Sequence, residues 1–379
     1  MGFLIRICAI VVLAAAFVQA ADKIEYWQVQ RKGANCFNEI ETAERFAAAK
    51  SFGIELVRLA PNKWKTATRD FLIGNADEYK GIVEADFQQL QSILDAADSI
   101  GVKVVLTMLS LPGCRWKQQN GDKNDDRIWL DRKFHHQSAQ FWRDLAQRLR
   151  GNPAIVGYNP LNEPHPGEGL RRSADSATAN INSLYAEIIA AIRSVDSTTP
   201  IVLDAGNYAS PDGMPQLLPV ADSLVLYSFH FYEPWEMTAF RANQGRYSYP
   251  DRIPGFAFDS TDVNSSGRAV LTELLRPVVA WQTKYKIPGN RIYGAEFGCD
   301  RRIPGVERYF ADLITIFNRE GWHWSYYSFR EDTWDGMDYE LGDKPLGWEY
   351  WKAVERGETP ERKRVGNPIF DVIRKEFAR

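Results

Sequence analysis

Short apolar runs alternate along this chain with longer stretches of helical periodicity. The runs end near Cys36, Leu59, Leu109, Leu161, Asp204, His230, Glu296 and Phe329. Runs of this length read as buried strands. In the intervening stretches, Phe87, Leu90, Leu94, Ala97 and Ile100 fall on one helical face, as do Phe310, Leu313, Ile314 and Phe317. Ile369, Phe370, Ile373 and Phe377 close the chain in the same way.

Eight strand candidates alternating with helices predict parallel βαβ units. From Gly33 onward the eight units average roughly 43 residues, above the minimum of about 30 for such a unit. The expected fold is α/β, a single (β/α)8 TIM barrel with enlarged βα loops at its C-terminal face. A doubly wound open sheet is the runner-up. It would need a Gly-rich phosphate turn after the first strand, where the chain instead has Phe37-Asn38-Glu39. The enlarged connections are Asn62 to Glu84, Ser110 to Leu130, Glu233 to Ser266 and Glu331 to Val365. They carry Trp64, Trp116, Trp129, Trp235, Trp334, Trp348 and Trp351, which together predict an aromatic-walled cleft on the face where such barrels keep their sites.

The N-terminus is set apart from this pattern. One basic residue in Met1–Arg6, a continuous apolar run from Ile7 to Val18 and the small residues around Ala20 read as a secretory signal peptide. Residues 1–20 are therefore expected to be cleaved, leaving 21–379 as the single barrel domain, secreted or periplasmic and not membrane-bound. A formal net charge of -3 gives no footprint for nucleic acid or anionic lipid. The basic run Arg362-Lys363-Arg364 is expected on a solvated loop. Beyond Cys8, the three cysteines Cys36, Cys114 and Cys299 permit one disulfide at most, and no Cys/His spacing suggests a metal or any other cofactor. His135 and His136, at the start of a helical stretch, are expected at the surface.

Two glutamates carry the candidate chemistry. Glu163 follows the run Ala154–Asn162, and Glu296 ends the run from Arg291, each with Pro or Gly within two residues. A carboxylate ending a buried strand is costly unless it faces a polar cleft. Two carboxyl groups about 5–5.5 Å apart can perform retaining glycoside hydrolysis, one as acid and then base, the other as nucleophile. The other strand ends supply partners. Arg58 could hold one glutamate in bidentate fashion. Asn162 could bond a sugar 2-hydroxyl, and His230 and Tyr232 alternate so that both donors point the same way. Glu331, Asp332 and Asp335 would follow the eighth strand, either binding sugar hydroxyls or lying on a solvated loop.

The ordered set Arg58, Asn162-Glu163-Pro164, His230-x-Tyr232 and Glu296-Phe297-Gly298 resembles glycoside hydrolase family 5, the cellulase family. The resemblance implies Glu163 as acid/base and Glu296 as nucleophile, with Arg58 and Tyr232 serving the nucleophile and His230 near the acid/base. It departs at two places. Leu109 stands where the family commonly has a histidine, three residues before Pro112-Gly113. At the eighth strand the family usually places a Trp under the reacting sugar; Tyr327 best matches that position, and a shifted register would choose Trp324. Tyr327, Trp324, Trp116, Trp235 and Trp334 are the expected sugar contacts. The implied substrate is a β-linked oligo- or polysaccharide, a glucan first. Alternatives are a β-mannanase or an exo-acting β-glucosidase of the same family, and, from another class, a non-catalytic carbohydrate-binding barrel.

Overall fold

In the computed structural model eight parallel strands close on themselves in chain order. They are β1 (Lys32–Phe37), β2 (Leu56–Ala60), β3 (Lys103–Thr107), β4 (Ile155–Asn159), β5 (Ile201–Asp204), β6 (Val225–Phe231), β7 (Ile292–Phe297) and β8 (His323–Tyr326). Closure comes from Lys32, Gly33 and Ala34 of β1 registering with Trp324, Ser325 and Tyr326 of β8. The structure describes residues 23–37, 42–60, 70–115, 120–121, 123–167, 178–255, 263–330, 336–358, 360–362, 364 and 366–378. The expected signal peptide lies outside them.

Around the barrel run α1 (Thr42–Ser51), α2 (Glu84–Ile100), α3 (Lys133–Leu149), α4 (Ile181–Arg193), α5 (Val263–Leu274) and α6 (Arg276–Tyr285). α7 (Val306–Glu320), α8 (Trp348–Glu355) and α9 (Pro368–Arg374) complete the ring. The periodicity places the core faces well: Leu90, Leu94 and Ala97 of α2 are buried, as are Phe310, Leu313, Ile314 and Phe317 of α7. Gly101, at φ 78°, ends α2 by donating its N–H to Ala97 and Asp98 carbonyls, a left-handed cap that favours glycine. Between β5 and β6 the helical layer is reduced to a 3-10 turn, Pro211–Gln216. Pro211, Gly213 and Pro215 are poor α-helix formers. Gly213 is also required by a close approach, since a Cβ there would sit 1.8 Å from the Gly206 carbonyl.

The barrel interior is layered. Leu56, Val105, Val156, Val202, Leu226 and Tyr293 form an apolar floor closed from below by Trp27, whose indole N–H donates to the Val156 carbonyl. Above it the inward positions turn polar: Asn35, Arg58, Thr107, Asn159, Asp204 and Ser228 are all buried. Their side chains cannot face an apolar core unpaired, and they build a hydrogen-bonded layer on which the C-terminal face rests.

One surface expectation is corrected here. His135 is fully buried, its Nε2 3.0 Å from the Ile128 carbonyl and 3.1 Å from that of Thr178. It faces the core side of α3 with Phe134 and Ser138, whereas His136 points outward. Arg364 is exposed on its loop, as expected, and pairs there with Asp338 at 2.9 Å and Glu340 at 3.5 Å. Cys36, Cys114 and Cys299 are all buried and form no disulfide with one another.

Candidate active site

Arg58 organises the mouth of the barrel. It lies at the centre of β2 with its guanidinium inside the barrel, and every nitrogen has an acceptor. Nη1 donates to Glu296 Oε1 at 2.6 Å and Asn35 Oδ1 at 3.2 Å. Nη2 donates to Asn159 Oδ1 at 2.7 Å, Asn162 Oδ1 at 2.8 Å, Asp204 Oδ2 at 3.3 Å and Thr107 Oγ1 at 3.3 Å. Nε returns to Asn159 Oδ1 at 3.0 Å. The expected bidentate grip on one carboxylate is therefore corrected. A single nitrogen meets Glu296, because the remaining donors are spread over three other strand ends.

Glu296, near the end of β7, receives a second donor from Tyr232, whose hydroxyl lies 2.6 Å from Oε2. Glu163 follows β4 in a left-handed conformation, φ 50°, which a residue with a Cβ adopts only when its surroundings impose it. Here they do. Its backbone N–H donates to Asp204 Oδ2 at 3.2 Å, and its carbonyl lies 2.9 Å from His165 Nδ1. His230, on β6, brings Nδ1 to 2.8 Å from Glu163 Oε1. Alternation along β6 does turn His230 and Tyr232 to the same side, one toward each glutamate.

One oxygen of Glu163, one of Glu296 and a ring nitrogen of His230 lie within 4.8 Å of one another. Retaining glycosidases hold their two carboxyl groups about 5–5.5 Å apart. An inverting pair needs about 6.5–9.5 Å to admit a water. The same trio is the one group among the described residues whose geometry could hold a metal ion. Each carboxylate already faces protein donors, Arg58 and Tyr232 for Glu296 and His230 for Glu163, so the protein itself meets the charge a cation would neutralise.

The electrostatics separate the two acids. Burial raises the Glu163 carboxyl above its ordinary range; the bond and charge of His230 oppose this, and the charges of Glu296 and Asp204 add to it. For His230, burial disfavours the imidazolium, but Glu296, Asp204 and the bond to Glu163 outweigh it and raise the ring. The two groups, 2.8 Å apart and both raised, titrate as a pair. Burial, followed by the Glu296 charge, pushes the Tyr232 hydroxyl up, which keeps it a donor.

Of the expected sugar contacts, Tyr327 is at the mouth. It packs in one small cluster with Phe37 and Ala60, flanked by Leu109, Tyr232 and Met337. Trp324 is not at the mouth. It points outward from β8, fully buried between Phe297 and Phe377, with its indole N–H on Asn318. A two-residue period puts positions 325 and 327 inside the barrel and 324 outside. Trp235 is 57% exposed on a helical turn after β6, a rim position rather than a cleft wall. Trp129 is core, and Trp348 is exposed. Trp64, Trp116, Trp334, Glu331, Asp332 and Asp335 lie outside the described residues. Asn162 spends its carbonyl oxygen on Arg58, which leaves its amide N–H groups as the side it can offer a hydroxyl.

The reading of the sequence passed over Asp204, Asn159, Asn35 and Ser228. Asp204 had the same signal as the two glutamates, a carboxylate ending an apolar run. His165 and Tyr208, stacked 4.4 Å apart at 9° beside Glu163, were also passed over.

Residues 21–332 match the model of the cellulase family, glycosyl hydrolase family 5. Endoglucanase C of Acetivibrio thermocellus is 25% identical over 319 residues, covering 79% of this chain and 82% of that protein. Among solved structures, the endoglucanase of the hyperthermophilic Thermotoga maritima superposes with a TM-score of 0.60 at 20% identity, over 81% of this chain and 92% of that one. A hyperthermophilic endo-beta-1,4-glucanase in complex with substrate gives 0.64 at 16% identity, over 93% and 99%. At these identities the structural likeness speaks for the fold alone.

Proposed function

Since the chain belongs to glycosyl hydrolase family 5, the cellulase family, we propose that it is an exported retaining β-glucanase that works by double displacement. The observation that carries this is the short spacing of Glu163 and Glu296, one oxygen of each within 4.8 Å of the other, with each glutamate held by its own partners. In this reading Glu163, its carboxyl raised by burial, gives a proton to the glycosidic oxygen while Glu296 attacks the anomeric carbon. Glu163 then takes a proton from the water that releases the sugar. Arg58 and Tyr232 aim Glu296, and the amide of Asn162 faces the sugar 2-hydroxyl. Tyr327 forms the floor beneath the ring, and Trp235 on the rim meets a longer chain. Residues 1–20 act as the export signal and 21–379 as one catalytic domain. No helix among the described residues is long and apolar enough to cross a membrane.

Net retention is the expected stereochemical outcome, with a β-glycoside giving a β-hemiacetal first. Following the anomeric proton by NMR in the opening minutes of hydrolysis tests this, and an initial α-product would sink the mechanism. Product profiles on cello- and manno-oligosaccharides identify the sugar and separate internal from terminal cleavage. A preference for manno-oligosaccharides would move the assignment to β-mannan.

Leu109 makes the pocket more apolar where the family commonly offers a histidine donor. Its place beside Tyr232 and Tyr327 supports a role at the glycone side. Leu109→His is expected to change kcat/KM on cello-oligosaccharides by about tenfold, the worth of one hydrogen bond. An unchanged kcat/KM would remove Leu109 from the pocket.

A further inference from the structure

Asp204 closes β5 beneath the site and is completely buried. Four donors converge on it. Oδ1 accepts from Asn159 Nδ2 at 3.0 Å and from the Ser228 hydroxyl, and Oδ2 accepts from Arg58 Nη2 at 3.3 Å and from the Glu163 backbone N–H at 3.2 Å. That is the donor set of a carboxylate anion, which accepts on both oxygens and donates from neither. Against the same Oδ2 lies His230 Nε2 at 3.4 Å, an ionic contact outside good hydrogen-bond alignment. The ring's other nitrogen meets Glu163. Asp204 therefore touches both the backbone of Glu163 and the far side of the histidine that touches its carboxyl.

We propose that Asp204 is a positioning residue for proton transfer, holding His230 with its Nε2–H turned inward so that Nδ1 always faces Glu163. The assignment rests on the reading of Glu163 as acid/base. The alternative neutral tautomer would aim the Nε2 lone pair at a buried carboxylate 3.4 Å away, where two electron-rich atoms repel in low dielectric. With Nε2 always protonated, the mobile proton is the one between Nδ1 and Glu163 Oε1. It sits on Glu163 with the ring neutral, or on Nδ1 with Glu163 ionised. Every charged or titratable neighbour acts on that proton. Glu296 faces it from β7, Arg58 from β2 and Tyr232 from the end of β6, while His165 bonds the Glu163 carbonyl. Asp204 adds a negative charge that favours keeping it.

Two measurements test this. In the native enzyme, the side-chain nitrogen shifts of His230, assigned among five histidines with a His230→Gln variant, should report a protonated Nε2 throughout the active pH range. A neutral ring protonated on Nδ1 alone overturns the proposal, and this result stands whatever Glu163 does in catalysis. In Asp204→Asn the charge that retains the proton is gone. The basic limb of the kcat/KM profile should move to lower pH by roughly one unit, the scale of a neighbouring charge. Cellobiosyl substrates with poor leaving groups should lose about tenfold more than dinitrophenyl ones, which need little protonation. A uniform loss with the limb unmoved would mark Asp204 as merely structural. If instead Glu163→Ala shows no dependence on leaving group, the acid/base reading itself fails, and the nitrogen shifts still decide the tautomer.

Discussion

Replacing Glu296 with alanine is expected to lower kcat by roughly 10⁴–10⁶-fold, the scale on which losing a covalent nucleophile acts. Added azide should then restore turnover as a glycosyl azide of inverted, α configuration, because a small anion can occupy the space the carboxylate leaves and attack from the same face. Glu163→Ala should behave differently. Poor leaving groups should slow by about 10²–10⁴-fold, the contribution of general acid catalysis, while dinitrophenyl glycosides keep a fast first step. The contrast follows from the partners. Glu296 is gripped by Arg58 at 2.6 Å and Tyr232 at 2.6 Å, an arrangement that fixes an anion in place. Among the described residues, the Glu163 side chain meets the titratable His230, and burial raises its carboxyl. The product identity and the rate ratio between leaving groups are the readouts. Exchanged phenotypes would reverse the two roles and leave the reaction class standing.

The barrel was legible because each strand is a short apolar run closed by chemistry-bearing residues, and each helix repeats at its own period. Arg58, Glu163, His230, Tyr232 and Glu296 could be read for the same reason. Glu163, His230, Tyr232 and Glu296 stand at the ends of such runs and Arg58 inside one, where burial makes a polar side chain expensive unless it has a purpose. Asp204 ended such a run too, but its partners, Ser228, Asn159 and the Glu163 backbone, come from three other segments, and no linear spacing brings them together. The aromatics were harder to place. Trp324 and Tyr327 lie three residues apart, and only the register of β8 against β1 and β7 decides which faces inward. His135 and His136 are adjacent on a helix, so one had to face the core, and the sequence alone did not say which. The grip of Arg58 takes a different form, since pairing one arginine with one carboxylate could not foresee five strands competing for its donors.

Arg58→Met is expected to damage stability and catalysis together. The side chain is 2% exposed and makes seven hydrogen bonds, to six residues drawn from β1, β2's neighbour β3, the β4 end, β5 and β7. A methionine fills most of the volume but leaves the Glu296 and Asp204 carboxylates buried without their shared cation. Breaking a buried ion pair on one side costs about 3–5 kcal/mol, far more than the pair's own net worth, because the stranded charge remains. Denaturant unfolding at neutral pH should therefore show a loss of that size with an unchanged slope. Turnover should fall by at least about 10²-fold, since Glu296 loses the donor that aims it. Arg58→Lys separates the two effects. One ammonium restores a positive charge and with it part of the stability, yet it cannot reach Glu296 while also holding Asn159 and Asn162 through a planar fork. Stability should recover more than kcat. A methionine variant as stable and as active as the parent would mean that Arg58 is dispensable, and that the polar layer beneath the two glutamates is held together by something else.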